Sequence, residues 1–280
     1  MDINNTLLKN VKILSEPNEF ECQEKEHMTC PSIDSLKQIV ELAKRIIFPG
    51  YFDTSRPNSN SRHYFIGGCM DELFTLLKKQ VESEQIAIEF INSLPEIKRI
   101  LYTDIDAMYH SDPAVKSRSE IIFCYPFLQV MLHHRIAHQL LLLGVPIIPR
   151  IIAEMAHSLT GVDIHPGAKI GEYFCIDHGT GVVIGETCII GNHVMLYQGV
   201  TLGAKNFTFD STGTPINTPR HPILEDNVTV YSNSSVLGRI TIGHDTTIGG
   251  NVWLTNSVPP YSRILQSKAV STTFIDGAGI

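Results

Sequence analysis

Between Ile164 and Val258 an aliphatic or small residue returns at every sixth position. Ile164, Ile170, Ile176, Val182, Cys188, Val194 and Val200 form the first run; Val228, Ser234, Ile240, Thr246, Val252 and Val258 carry the period on after a break. A second series runs two residues later, through Ile184, Ile190, Leu196 and Leu202, then Val230, Val236, Ile242, Ile248 and Leu254. A helix would need a period near about 3.6, whereas six residues are three strand alternations and return a side chain to the same face. Gly171, Gly185, Gly191, Gly243 and Gly249 each follow an apolar position, and the expectation is that they supply turns whose dihedrals glycine tolerates. The pattern predicts a coil of short parallel strands, a β-helix in which each turn buries its apolar face only against its neighbours. An ordinary sandwich would not hold one period over this length.

The period fails over residues 204–221, AKNFTFDSTGTPINTPRH, which reads as a loop extruded between intact coils. Loops this long are functional or disordered, and this one ends in Arg220 and His221. Ahead of the coils the sequence is helical. Leu36, Ile39, Val40, Leu42, Ala43 and Ile46 share one face of a segment from Ser35 to Ile47, stopped by Pro49-Gly50. A polar loop follows, then a second helical pattern from Asp71 to Ile91. Pro95 is expected to open another helix toward Met108, and Asp112-Pro113-Ala114 reads as a cap with proline at the first helical position. Helices over 127–143 and 149–159 lead to Gly161, where the six-residue period takes over. Residues 1 to about 32 show no sustained period and read as a loose arm or a weakly packed first helix.

A chain of 280 residues with 43% hydrophobic content holds a large core, and its formal net charge of −7 argues against a phosphate-backbone partner, so no nucleic acid is expected. The cysteines at 22, 30, 69, 124, 175 and 188 lack paired metal spacing and read as buried thiols in a reducing compartment, with the cytoplasm as default. The opening MDINNTLLKN shows no signal-peptide pattern. The run from Ile121 to Ile152 is interrupted by His133, His134, Arg135, His138 and Arg150, too polar to span a bilayer, so no membrane is expected.

Polar residues that break the aliphatic array need a reason. Asp163, His165, Asp177 and His178 do so in the first coils. Coils stack about 4.8 Å apart, so Asp163 and His178 can lie near each other on adjoining levels. A carboxylate beside an imidazole fixes its tautomer and raises its basicity, as general bases require. The alternative is that these groups merely satisfy one another at turns. Metal binding competes too, since β-helices can hold zinc through histidines, and His165, His178, His193, His221 and His244 are the candidates. They form no compact motif, and no metal is expected.

Val162-Asp-Ile-His-Pro-Gly-Ala-Lys-Ile-Gly, Asp177-His-Gly-Thr-Gly-Val-Val-Ile-Gly-Glu-Thr, Gln198-Gly-Val-Thr-Leu-Gly and Arg220-His-Pro together resemble bacterial serine acetyltransferases. The helical region ahead of the coils and Asp112-Pro-Ala extend the resemblance over about residues 100–258. It implies an α+β chain: an N-terminal α-helical domain over 1–161, a left-handed parallel β-helix of hexapeptide repeats over 162–262 with the loop 204–221, and a flexible tail over 263–280. It further implies acetyl transfer from acetyl-CoA to L-serine in cysteine biosynthesis, with His178 as base, Asp163 as its partner and His221 at the hydroxyl end. Asp112 and Asp177 match acids that hold the amino acid, and Arg220 suits its carboxylate. Ala204, Ser232 and Gly250 align with the groove for acetyl-CoA between coils of neighbouring subunits.

Assembly as a homotrimer or a dimer of trimers, and feedback inhibition by L-cysteine, also follow from the resemblance, as does binding of a cysteine synthase through a tail that ends in Ile280. Two features depart from the family pattern: the long loop before Arg220, and Ile264-Leu-Gln-Ser-Lys-Ala in place of Gly-Val-Pro-Ala after the coils. Another hydroxylated acceptor, such as homoserine or a sugar, and a non-catalytic binding scaffold are the alternatives.

Overall fold

The computed structural model describes residues 3–17, 30–53 and 58–267. Cys22, Ile280 and most of the expected tail lie outside them. The chain divides into two compact units, 1–32 and 33–280. The first carries helix α1 (Ile3–Ser15), in which no residue is buried.

In the second unit the helices are α2 (Ile33–Ile47), α3 (Ser59–Val81), α4 (Glu84–Ser111), α5 (Arg118–Cys124), α6 (Pro126–Leu142) and α7 (Ile148–Thr160). The expected helix from Asp71 to Ile91 is broken instead at Glu82, whose φ is 51°, and Ser83 caps α4 by accepting from the Ile86 N–H. Pro95 does not open a helix but lies inside α4. Phe90, Leu94, Ile97 and Leu101 are all buried on one face of that helix, and this packing carries it through a residue that cannot donate its backbone bond. Asp112 is likewise not an N-cap: it ends α4, and Ser117 caps α5. Gly161, at φ 71°, closes α7 in the left-handed conformation.

Fourteen two- or three-residue strands follow, from β1 (Asp163–Ile164) to β14 (Arg263–Ile264). They form three parallel sheets in the orders β1-β4-β7-β10-β13, β11-β8-β5-β2 and β14-β12-β9-β6-β3. These are the faces A, B and C of a triangular left-handed β-helix. The inward residues of both six-residue series are buried except Ile170 and Leu254, which are partly buried, and Ile164, Ile184, Leu202, Val236 and Ile248 are each at most 3% exposed. Two series positions hold polar residues, Ser234 and Thr246, both fully buried. Ser234 Oγ donates to the Gly249 carbonyl at 2.7 Å, and Thr246 Oγ1 to the Pro259 carbonyl at 3.2 Å, which removes the cost of burying them.

The glycines that follow apolar positions are not there for their dihedrals. Left-handed backbone at the coil corners belongs to other residues: Tyr173, His178, His193, Asn227, Asn233, Asp245, Asn251 and Tyr261, with Gly181 and Gly199 in the same column as Asn233 and Asn251. Gly191 is required instead by close approach: a Cβ there would lie 2.4 Å from the Asp226 carboxylate on the next coil.

Cys69, Cys175 and Cys188 are buried, as expected of inert thiols, whereas Cys30 and Cys124 are exposed. Among the described residues no helix is long and apolar enough to cross a membrane.

Candidate active site

Two corners of the prism carry the chemistry. The corner between faces C and A follows β3 (Cys175–Asp177), and there His178, at φ 58°, turns its ring outward with 71% of the side chain exposed. Its Nε2 lies 3.9 Å from Asp177 Oδ2. Asp112 joins them from the end of α4. Its carboxylate accepts from the Tyr125 hydroxyl at 2.7 Å and from the Ala114 N–H at 2.8 Å. Those two bonds, with the nearby His178, hold Asp112 below the usual carboxylate range, and the same contact pushes Tyr125 up to about 12. Below Asp177 on face C come Tyr197 and then Tyr231, their rings stacked 4.8 Å apart at 9°.

Asp163 begins β1 beside this corner. Its N–H donates to the Val182 carbonyl at 2.9 Å, and Gly179, next to His178, packs against Val162, next to Asp163. The side chains of Asp163 and His178 nevertheless share no hydrogen bond or ion pair; the Asp163 carboxylate sits with Glu154 and His157, ligand atoms within 4.8 Å of one another. That trio is the one such group among the described residues, and Glu154 is already ion-paired with Arg150. None of the five histidines considered as metal ligands belongs to it.

The second corner lies between faces A and B. Here the loop returns to the coil and sets Arg220 and His221 against Glu186 and Thr187 of the preceding turn. Thr187 organises the pair: its Oγ1 accepts from the backbone N–H of Arg220 at 2.9 Å and of His221 at 3.1 Å. Both the Thr187 N–H, at 3.1 Å, and its hydroxyl, at 2.9 Å, reach His221 Nδ1. Two donors on Nδ1 require it to be unprotonated, so the ring proton of the neutral imidazole sits on Nε2. Burial and then the Arg220 charge push His221 down to about 4, which keeps it neutral.

Arg220 Nη2 donates to Glu186 Oε2 at 2.6 Å and its Nη1 to Asn217 Oδ1 at 2.8 Å. Burial alone would raise Glu186, but its bonds to Arg220 and Asn217 outweigh it and hold the carboxyl low. His221 fits only because residue 185 is glycine: a Cβ there would stand 2.0 Å from the ring Cδ2.

The expected residues therefore fall into two groups: Asp112, Asp177 and His178 with Asp163 nearby on one corner, and Arg220 with His221 on the other. Ser232 and Gly250 stack below the first corner, where the Asn251 N–H donates to the Ser232 carbonyl at 2.9 Å. Ala204 follows β7 (Thr201–Gly203) at the second corner. Tyr125, Gly185, Glu186 and Thr187 are contributions that the sequence reading missed. Glu186 and Thr187 close a motif it had singled out, and Tyr125 stands just before Pro126 at the start of α6.

No protein-family model matches the chain. It is 46% identical over 274 residues to the plasmid serine acetyltransferase of Synechococcus elongatus, covering 89% of this chain and 86% of that protein. Among solved structures, serine acetyltransferase isoform 3 from Entamoeba histolytica in complex with cysteine superposes with a TM-score of 0.74 at 32% identity, over 98% of this chain and 94% of that one. A serine acetyltransferase in complex with CoA gives a TM-score of 0.57 at 27% identity, over 85% of this chain and 99% of that one. With most of both chains aligned at that identity, the conclusion is direct: this chain belongs to the serine acetyltransferase family.

Proposed function

We propose that the protein transfers the acetyl group of acetyl-CoA to the hydroxyl of L-serine, giving O-acetyl-L-serine and CoA for cysteine biosynthesis. The observation that supports this reading is that one chain holds both an acidic corner bearing a histidine, with Asp112, Asp177 and His178, and a second corner bearing Arg220 and His221. A zwitterionic amino acid needs both: Asp112 and Asp177 for its ammonium, Arg220 for its carboxylate. The Arg220 guanidinium is engaged by Glu186, so it is held in place before substrate arrives.

In this reading His178 takes the proton from the serine hydroxyl as the oxygen attacks the thioester carbonyl. The tetrahedral intermediate then collapses, and the protonated His178 returns the proton to the departing CoA thiolate. Asp163 orients the imidazole, a role for which its carboxylate turns from Glu154 and His157 toward the neighbouring His178. His221, neutral with its proton on Nε2, serves as a hydrogen-bond donor to the reacting oxygens rather than as a second base.

The two corners lie on different edges of one prism, so a complete site is built when the corner bearing His178 faces the corner bearing His221 of another copy. A trimer about an axis parallel to the coils does this three times, and a dimer of trimers is its doubled form. Ser232 and Gly250 of one copy and Ala204 of the next would then line the groove for acetyl-CoA. A helical domain ending at residue 161, a cytoplasmic location, L-cysteine as an inhibitor at the serine site and a cysteine synthase held through Ile280 complete the proposal.

Release of free thiol from acetyl-CoA, measured with serine, homoserine and sugars as acceptors, tests the reading. Serine alone should respond strongly. His178→Ala should lower turnover at least about a hundredfold while CoA binding persists; near-normal turnover would remove His178 from the mechanism.

A further inference from the structure

Face A carries one outward position that is unlike the others. The register pairs Asp163 with Val183, Val183 with Thr201, Thr201 with Ser235, and Ser235 with Trp253. These five residues form a straight outward column down the prism, four strand steps of about 4.8 Å each, or about 19 Å in all. The column starts at the proposed partner of the base and ends at an indole that is 73% exposed. Of the residues between them, Thr201 and Ser235 are small and polar, and Val183 presents an exposed aliphatic side chain. No aromatic ring or cation among the described residues lies against either face of Trp253.

Trp253 also sits three residues beyond Gly250, at the start of β13 (Trp253–Leu254), so it flanks the corner on which Ser232 and Gly250 stack. That is the corner whose top bears His178. A coenzyme with its thioester at His178 and its arm along the stacked turns brings its other end to the lower coils. That end is an adenine, a flat ring with two open π-faces, and an exposed indole offers the matching surface.

The geometry points to Trp253 as the residue that stacks on the adenine of coenzyme A, fixing which acyl donors the enzyme uses. The inference rests on the acetyl-transfer reading above. Its chemistry is recognition only: a base–indole stack favours donors that carry the nucleotide over the same thioester on a bare pantetheine arm.

Trp253 is the chain's single tryptophan, so intrinsic emission of the whole protein reports on this one site. The test uses the full chain. Titration with CoA should change the tryptophan emission, and titration with pantetheine should leave it unaltered. Trp253→Ala should raise KM for acetyl-CoA by about 5- to 150-fold, the range expected for losing one base stack, without changing KM for S-acetylpantetheine or for serine. Trp253→Phe should recover part of the loss.

An emission indifferent to saturating CoA, an unchanged KM for acetyl-CoA, or equal losses with both donors would overturn the assignment. Equal losses accompanied by dissociation of the assembly would place the indole in a contact between copies. Should the wild-type chain acetylate no serine, the acetyl-transfer reading fails separately, and the emission titration still decides whether adenine meets Trp253.

Discussion

Thr187 fixes His221 in one tautomer: its hydroxyl and its backbone N–H both point at Nδ1, from 2.9 and 3.1 Å, which leaves Nε2 to carry the proton. The same hydroxyl oxygen accepts the backbone N–H groups of Arg220 and His221. Thr187→Val keeps the shape and removes all the hydroxyl's bonds. It should lower kcat/KM about tenfold or more through lost positioning and cost about 1–3 kcal/mol of stability. Steady-state kinetics and urea unfolding measure the two; unchanged kinetics in a destabilised variant would make Thr187 a purely structural residue.

Gly185→Ala should be far more damaging than an exchange of one hydrogen for a methyl suggests. The new Cβ would meet the His221 ring at 2.0–2.2 Å, and the ring cannot swing away without breaking its bonds to Thr187. A drop in kcat/KM of about a hundredfold is expected. In a His221→Ala background the same substitution should cost little, because the colliding ring is gone. A double-mutant cycle reads this coupling directly, and additive losses would mean that the methyl acts elsewhere.

Tyr125→Phe removes the hydroxyl that holds Asp112. This partly exposed contact is screened, so the expected change is modest: KM for serine up about 3- to 10-fold with kcat nearly kept. A fall in kcat with KM unmoved would place Tyr125 nearer the reacting atoms.

His134 is buried in α6 with neither ring nitrogen hydrogen-bonded. Burial, then Arg135 and His138, push it well below the ordinary histidine value, so it is neutral in the folded chain and charges on unfolding in acid. The stability it permits is fully present above about pH 6.5 and is lost as the pH falls below that value, because the unfolded state binds the extra proton. His134→Leu should therefore raise stability at neutral pH by about 1–3 kcal/mol, with a wider margin at pH 5 than at pH 8. Unfolding curves at the two pH values check both signs.

Much of this was legible because burial imposes a period. Every inward residue of the two six-residue series appears where the spacing puts it, and the extruded loop lies where the period fails. The helix boundaries around Glu82, Pro95 and Asp112 were less legible, since packing of Phe90 and Leu94 overrides the local signal of a proline.

The site was half legible. Asp177 and His178 are adjacent in sequence, and Arg220 and His221 likewise, so their pairing needed no fold. That the two pairs occupy different edges follows only from how coils stack. Tyr125 and Thr187 act through hydrogen bonds to residues 13 and 34 positions away, separations for which a single sequence holds no local signal.

The buried pair of Asp104 on α4 and Arg135 on α6 also has a bearing on how the molecule ends. Arg135 donates to the Gly171 carbonyl at 2.7 Å, and Asp104 accepts from the Phe174 N–H at 3.1 Å. Both targets lie on the uppermost turn, next to β2 (Lys169–Ile170) and β3, which are outer strands of their sheets. A stack of parallel turns has no intrinsic stop, and its bare end is a template for another chain. The ionic pair closes that template with side-chain and backbone partners that no incoming strand can displace without stranding a buried charge. A fragment beginning after residue 161 would keep every coil yet leave this end open, and end-to-end polymerisation is the behaviour to look for in it.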